Sequence, residues 1–146
     1  MKLDPLFTIK ENKLYKIEDD SLVNLDSLKK VELKWSELEL EPESYNEELL
    51  ANLRNDLKSM EETGEFAIIV PVIDKDVKDY EDQEAIIAAY NHAARRIKDA
   101  TSVVGFEIPK EIEDCSDFVD ALSKKHEQYI YFTKANNTLP DRIISY

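Results

Sequence analysis

Short apolar runs and segments with helical spacing of apolar residues alternate along this chain. Residues 6–9 and 14–17 are two β-type runs on either side of a polar turn, and they predict a β-hairpin. Residues 31–35 alternate apolar with charged side chains, as a strand with one solvated face does. The chain therefore begins with β-structure.

Three helices are predicted downstream. The first carries a capping-box pattern, Ser44-x-x-Glu47, followed by leucines at three- and four-residue steps, and Gly64 is suited to its C-terminal cap. The second is expected over residues 83–98 and the third over residues 116–126, because both have an apolar face of helical spacing.

The strands between these helices are apolar without alternation. Residues 66–73, 103–108 and 129–132 are typical of strands covered on both faces, and Pro71 predicts an edge, a bulge or the end of a strand. Residues 142–144 are a candidate edge strand. Alternation of strands and helices favours parallel pairing with right-handed crossovers. The predicted fold class is α/β: a small, mainly parallel sheet resembling half of a (β/α) barrel, preceded by a β-hairpin.

We expect one domain over residues 1–146. It divides into a hairpin segment (1–30), an alternating β/α core (31–134) and a C-terminal extension (135–146). The 146 residues are too few for a complete eightfold barrel, which needs about 250.

Charge and composition narrow the choice of partners and cofactors. With 32 acidic and 19 basic residues the net charge is −13, which disfavours nucleic acid and anionic membranes as partners. Two glycines cannot form a glycine-rich phosphate loop, and no metal-binding motif is present, so we expect neither cofactor nor metal. One cysteine, no signal-like start and no apolar run of 18 residues favour a cytoplasmic protein.

Polar and aromatic side chains are expected at the carboxyl ends of the parallel strands, where ligands usually bind in such sheets. Two carboxylates there can divide acid and base roles, as glycoside hydrolysis requires. Loops that follow strands are polar in any case, so an acidic protein also places carboxylates there by chance. The candidates are Asp74, Glu107 and Glu111 for catalysis and Trp35, Tyr131 and Lys134 for ligand binding.

Glu107 differs from the others because it lies within a strand. Alternation places it on one face with Val103 and Gly105, opposite Val104 and Phe106. A carboxylate buried there must be paired or protonated, so a structural ion pair and a catalytic role are both open.

Other reactive side chains receive structural interpretations. His92 and His126 lack further ligands at metal-binding spacing, and Cys115 lacks both a CxxC partner and a neighbouring cation. Arg95 and Arg96 suit the negative end of a helix dipole.

Residues 49–112 resemble the middle of a cellulase-type glycoside hydrolase barrel. The stretch 64–70 matches a family strand preceded by glycine and an aromatic residue, and 103–111 matches the strand that ends in Asn-Glu-Pro. By this resemblance Glu111 takes the place of the family's acid/base glutamate, with Lys110 for the Asn and Ile112 for the Pro. The family's nucleophile lies on a later strand, for which we expect no room in these residues.

Two functional hypotheses follow. The first is a non-enzymatic acidic protein that binds or assembles with a partner, which is a protein or a carbohydrate. The alternative is a carbohydrate-active, glycosidase-like enzyme, or a degenerate descendant of one, that uses a carboxylate pair. An open half-barrel sheet leaves apolar edges and one uncovered face, so we also expect a homodimer.

Overall fold

The computed structural model describes residues 6–41, 43–133 and 143–145. Its secondary structure begins with three strands that form one antiparallel sheet, and a 3-10 turn over Leu25–Ser27 follows them. The remaining elements alternate strands and helices. The strands are β1 (Phe7–Lys10), β2 (Lys13–Lys16), β3 (Leu22–Val23), β4 (Lys29–Lys34), β5 (Glu39–Glu41), β6 (Ser44–Tyr45), β7 (Ala67–Val72), β8 (Val103–Glu107), β9 (Ile130–Thr133) and β10 (Ile143–Ser145). The helices are α1 (Trp35–Leu38), α2 (Glu47–Thr63), α3 (Tyr80–Ile97) and α4 (Cys115–Ser123).

A five-stranded parallel sheet forms the centre of the fold. Its order is β10-β9-β8-β7-β4, so successive strands of the chain lie side by side, as they do around a (β/α) barrel. The protein is therefore α/β with a half-barrel sheet and an N-terminal hairpin, which confirms the predicted fold class. The predicted strand at 142–144 is β10, at the edge of the sheet.

The helix boundaries differ from the prediction by a few residues. Asn46, not Ser44, caps α2, because its side chain accepts a hydrogen bond from the Leu49 amide while Ser44 belongs to the short strand β6. Gly64 ends the helix at φ 72°, in the left-handed conformation that the sequence predicts. Asp79 starts α3 three residues earlier than expected by accepting from the Asp82 amide.

The larger part of the core lies between the sheet and its helices. Phe106 and Tyr131 are paired neighbours in the sheet, and both side chains are fully buried on this side. Tyr90 from α3 and Phe118 from α4 pack against the same cluster, and the Tyr90 hydroxyl donates to the Leu33 carbonyl at 2.6 Å. A buried phenol with a satisfied hydroxyl stabilises this layer without leaving an unpaired polar atom.

The antiparallel sheet β1–β3 covers the opposite face of the parallel sheet. Phe7 and Leu14 are buried against Ile68, Val104 and Phe132. Phe7 meets Phe66 edge-on with ring centroids 5.3 Å apart. The expectation of an uncovered apolar face is therefore wrong, because the hairpin predicted from the first residues folds onto that face.

A β-bulge changes which side chains of β8 share a face. Ala67 pairs with Val103, but Ile68 pairs with Gly105, so Val104 is the extra residue. Val103 therefore belongs to the helix-side core together with Phe106, and Val104 belongs to the hairpin-side core. The alternation predicted from the sequence has these two valines exchanged, with Val104 on the side of Phe106. A Cβ at Gly105 would lie 1.5 Å from the Ile130 carbonyl oxygen, so this position in the bulge has no room for a side chain.

Pro71 lies where pairing with β8 has already ended. The β7–β8 register runs to Ile69 opposite Phe106, whereas β7 continues along β4 as far as Val72. Of the three predicted alternatives, the end of a strand fits best. Proline has no backbone N–H, and at Pro71 no β8 residue is left that would need a hydrogen bond from it.

Within the described ranges no helix is long and apolar enough to cross a lipid bilayer.

Candidate functional site

A high net negative charge lies at the carboxyl edge, defined here by residues 74–84 and 107–120. These two segments lead from β7 into α3 and from the end of β8 into α4. They contain twelve acidic and three basic side chains, hence a net charge of −9 out of −13 for the whole chain. The corresponding segments at the other end of the sheet, residues 95–102 and 121–129, hold five basic and two acidic side chains.

Asp74 is engaged in holding the start of α1. Its carboxylate accepts from the Ser36 amide at 3.0 Å and from the Ser36 hydroxyl. Burial opposes ionisation, but these hydrogen bonds prevail and keep the pKa of Asp74 below its usual range. Asp74 is therefore an ionised structural acceptor and is not poised to donate a proton near neutrality.

Trp35 lies at the carboxyl end of β4 but is only 5% exposed. Its indole N–H donates to Glu39 Oε1 at 2.9 Å, and the other oxygen of that buried carboxylate accepts from the Glu43 amide. The Lys75 ammonium lies 4.6 Å from the centroid of the Trp35 ring. The indole is thus packed and hydrogen-bonded within the fold, and its predicted ligand-binding role stays a prediction.

Glu107 and Tyr131 lie on opposite sides of the sheet. Glu107 pairs with Phe132, a residue of the hairpin-side core, and is half-buried. Tyr131 is fully buried on the helix side, where its ring meets Phe118 edge-on. It therefore lies in the core and not at the rim, because the side chain of this β9 position points toward the helices. Lys134 lies outside the described residues.

Glu111 lines a cleft of about 260 Å³ at the carboxyl edge. The other walls come from the loop before α3, from the first turns of α3 and from the loop before α4. They are Val77, Lys78, Asp79, Tyr80, Gln83 and Glu113. Gln83 is buried, and its side-chain oxygen accepts from the Glu113 amide at 3.0 Å, so it ties the two loops together.

Several carboxylates of this edge are already used as helix caps. Asp79 caps α3, and Asp82 accepts from the Lys78 amide at 2.8 Å. Asp114 caps α4, and hydrogen bonds from the Ser116 side chain and backbone lower the pKa of Asp114. The side-chain oxygens of Asp79, Asp82 and Asp114 are thus already hydrogen-bonded to backbone amides, which limits their freedom to contact a substrate.

Two of the three predicted catalytic carboxylates, Asp74 and Glu111, act electrostatically on one buried side chain, that of Tyr90. Burial raises the pKa of the Tyr90 hydroxyl most, and the negative charges of Asp74 and Glu111 raise it further. Asp74 and Glu111 thus share one region at the carboxyl edge, while Glu107 belongs to the hairpin side.

Tyr80 is the functional candidate that sequence reasoning missed. It is 57% exposed at the cleft, and its hydroxyl approaches Asp117 at 3.5 Å. The nearby Asp117 charge raises the pKa of Tyr80. The expected helix start at residue 83 placed Tyr80 in a loop, so a recognised N-cap at Asp79 is the signal that would have indicated it.

His92 has a local partner, which agrees with its interpretation as a solvated or locally hydrogen-bonded histidine. His92 Nε2 lies 2.9 Å from Glu47 Oε2, and the imidazole stacks on Tyr45. His126 differs from it, because the imidazole is buried and its Nδ1 has no hydrogen-bond partner among the described residues. Nowhere in residues 6–41, 43–133 or 143–145 do three or more His, Cys, Asp or Glu side chains converge as a metal site would require.

Comparison with known proteins shows similarity of fold. No protein-family model and no curated protein sequence matches this chain. A solved structure of a GH5_18 from Bifidobacterium longum subsp. infantis superposes with a TM-score of 0.58 at 10% sequence identity. The match covers 71% of this chain and 33% of that structure, so the chain spans about a third of its length. This likeness fits the partial resemblance to cellulase-type barrels and shows the fold alone.

Proposed function

We propose that this protein is a non-enzymatic binding protein whose carboxyl edge receives a positively charged segment of another protein. The observation that carries the proposal is the concentration of net charge −9 in the two segments that border the cleft of Glu111. Opposite charges attract across an interface and steer association, so a basic partner is favoured there.

The chemistry of the cleft supports a cationic side chain as its occupant. No Lys or Arg nitrogen of the described residues forms an ion pair with Glu111 or Glu113. Tyr80 adds an exposed aromatic ring, and guanidinium groups bind favourably over such rings. An arginine-containing segment can therefore pair with the carboxylates and stack on Tyr80 at the same time.

The use of Asp74, Asp79 and Asp114 as hydrogen-bonded caps favours binding over hydrolysis. Amide and hydroxyl donors keep the pKa of Asp74 and of Asp114 low, so these two carboxylates attract a cation in the neutral pH range but do not supply the protonated acid that glycoside hydrolysis needs. Electrostatic attraction of a cationic partner requires only that the carboxylates stay ionised.

Binding of an arginine-rich decapeptide tests this proposal. We expect the triple variant Asp76→Asn, Glu84→Gln, Glu113→Gln to bind the peptide about tenfold more weakly than the unmodified protein, since it removes three exposed carboxylates from the edge. Fluorescence anisotropy at moderate ionic strength measures the change.

A matched triple variant separates local from global charge. Glu48→Gln, Asp56→Asn, Glu62→Gln removes three exposed carboxylates from α2 and gives the same net charge. The α2 variant should bind like the unmodified protein. Equal weakening by the two triple variants would mean that only the overall charge matters, and the proposed edge would then be wrong.

Glycoside hydrolysis is the second candidate, because Glu111 lines a cleft at the carboxyl edge of a sheet similar to that of a GH5_18 structure. In this case Glu111 would act as acid/base with a second carboxylate, Asp74 or Glu107. We expect the protein not to hydrolyse chromogenic glycosides. Turnover that Glu111→Gln abolishes would favour the enzyme over the binding protein.

A further inference from the structure

A second cavity lies at the opposite end of the sheet from the acidic cleft. It has a volume of about 210 Å³, lies between the N-terminal hairpin and the starts of the strands, and is partly open to solvent. Most of its wall is apolar. The apolar lining residues are Leu6, Phe7, Ala100 and Val103, and the polar ones are Lys98, Thr101 and Gln128. Thr101 is already engaged, because its amide and hydroxyl donate to Glu61.

The apolar wall suits a hydrocarbon chain. Phe7, Ala100 and Val103 are almost fully buried, whereas Leu6 is 47% exposed and lies at the opening. A pocket with an apolar body and a few polar groups at its margin is the usual form of a small-molecule site, since the body gives affinity and the polar groups fix orientation.

The surroundings of the cavity are cationic although the chain is strongly acidic. Lys98 lines the cavity, and none of the carboxylates in the described ranges forms an ion pair with it. Arg95, Lys98 and Lys125 all act electrostatically on the buried His126 and, together with its burial, lower the pKa of that imidazole. All three cations thus act on one buried group, His126, which lies two residues before the cavity-lining Gln128 in the chain.

We propose that this cavity binds a small amphiphilic anion, a medium-chain carboxylate, with its chain against Phe7 and Val103 and its carboxylate at Lys98. An unpaired cation beside a partly open apolar cavity is complementary to a molecule that has one charged end. Gln128 Oε1 meets no hydrogen-bond donor within the described residues, so the wall also offers an acceptor to an accompanying water.

The site is separate from the acidic cleft. The two lie at opposite ends of the parallel strands, with net charges of +3 for residues 95–102 and 121–129 and −9 for the carboxyl edge. An anion is repelled from one end and attracted to the other. Failure of peptide binding at the carboxyl edge would thus leave this inference untouched, and the reverse also holds.

Octanoate is the probe for the first experiment. Titration calorimetry should give saturable one-to-one binding in roughly the millimolar range or below, as its ten heavy atoms allow. Amide NMR shifts of Ala100 and Val103 should move with the same saturation curve. Butyrate, which has the same head and too short a chain, should bind at least tenfold more weakly.

Charge variants test the role of Lys98. Lys98→Gln should weaken octanoate binding about tenfold and leave octanol binding unchanged, because octanol has the chain without the charge. Lys124→Gln is the matched control, since Lys124 is exposed and does not line the cavity. Both lysines follow the last turn of a helix, at the caps of α3 and α4, so the control matches the local setting.

Three results would overturn the proposal. Absence of saturable octanoate binding would mean that no such ligand enters, as when the chain itself or a second copy fills the cavity. Equal weakening of octanoate binding by Lys98→Gln and by Lys124→Gln would mean that only the overall charge of the protein attracts the anion. Binding of octanol as tight as that of octanoate would show an apolar site without preference for an anion.

Discussion

The two faces of the parallel sheet are covered by different kinds of structure. On one face three helices pack over a core that contains Tyr90, Phe106 and Phe118. On the other a three-stranded antiparallel sheet supplies Phe7 and Leu14 to a cluster of eight buried residues. Among the described residues the helix-side cluster has 24 buried members and the hairpin-side cluster eight, so the hairpin side is the smaller layer there.

This difference explains how half a barrel sheet is covered within one chain. In a complete barrel the inner face of each strand meets the inner faces of the other strands. Here Ile68, Val104 and Phe132 meet the hairpin in their place. The hairpin layer therefore decides whether the half-barrel sheet needs a partner chain to cover its inner face. The substitutions described below test that conclusion.

The bulge between the two faces should tolerate substitution least. A Cβ at Gly105 would lie 1.5 Å from the Ile130 carbonyl oxygen, so Gly105→Ala must push β8 away from β9. We expect the free energy of unfolding to fall by about 4 kcal/mol, measured by urea denaturation.

Gly64→Ala is the control for that substitution. Gly64 has no atom within 4 Å of its Cβ position but has a φ of 72°, so the cost should be about 1–2 kcal/mol, from backbone conformation alone. A Gly105→Ala variant no less stable than Gly64→Ala would mean that the close approach of β8 and β9 is not essential.

The two cores can be compared with one leucine from each. Leu14 in the hairpin and Leu57 in α2 are both almost fully buried. If the hairpin is an integral layer, Leu14→Ala and Leu57→Ala should each lower the free energy of unfolding by about 3 kcal/mol. A loss below about 1 kcal/mol for Leu14→Ala alone would mean that the hairpin only rests on the sheet.

The homodimer expected from the sequence remains a prediction, but the surface proposed for its contact differs from the one that the sequence indicated. Since the hairpin covers the inner face, a dimer needs another apolar surface, and the outer side of the hairpin sheet exposes Ile17 and Leu22. We propose this surface as the dimer contact. Ile17→Lys should weaken the dimer by about 2 kcal/mol, seen by light scattering at micromolar concentration. A mass of 16.9 kDa for the unmodified protein would contradict the dimer.

A change of pH should affect the helix side through His126. Burial and the charges of Lys98, Lys125 and Arg95 lower the pKa of His126. The unfolded chain therefore binds more protons than the folded one below about pH 6.5, and stability falls as the pH falls from there toward the folded pKa.

The slope from this single group cannot exceed about 1.4 kcal/mol per pH unit. Thermal melting between pH 7.5 and 5.5 measures it, and His126→Gln should flatten the dependence. An unchanged slope in that variant would assign the effect to other groups. The carboxylates whose pKa is lowered, such as Asp74 and Asp99, titrate in a more acidic range.

Added salt should have the smallest effect. Screening of the net charge of −13 should raise the melting temperature near neutral pH by an amount worth a few tenths of a kcal/mol. The carboxyl-edge triple variant, which relieves part of this repulsion, should gain less from salt than the unmodified protein. A melting temperature that salt leaves unchanged or lowers would mean that repulsion does not limit stability.

The candidate site was predictable where it depends on strand order and unpredictable where it depends on hydrogen bonds. Parallel strands bring Asp74 and Glu111 to one edge whatever their details, and the sequence indicated this. The capping role of Asp74 depends on Ser36, which is 38 residues away, so no local pattern could reveal it. The prediction placed Tyr131 at the rim because the sequence alone does not show which side of β9 each side chain takes. In the structure that orientation follows from packing of the Tyr131 ring against Phe118.

The sequence by itself determined the α/β class, the hairpin, the three longer helices and the net negative charge, because these follow from local periodicity, caps and composition. Only the tertiary structure decided where the hairpin packs, since that depends on which apolar faces meet. It also decided the bulge at Val104, because an extra residue in one strand is defined by the register of its neighbour. The cavity at Lys98 arises in the same way, from residues that are far apart in the chain and adjacent only in the fold.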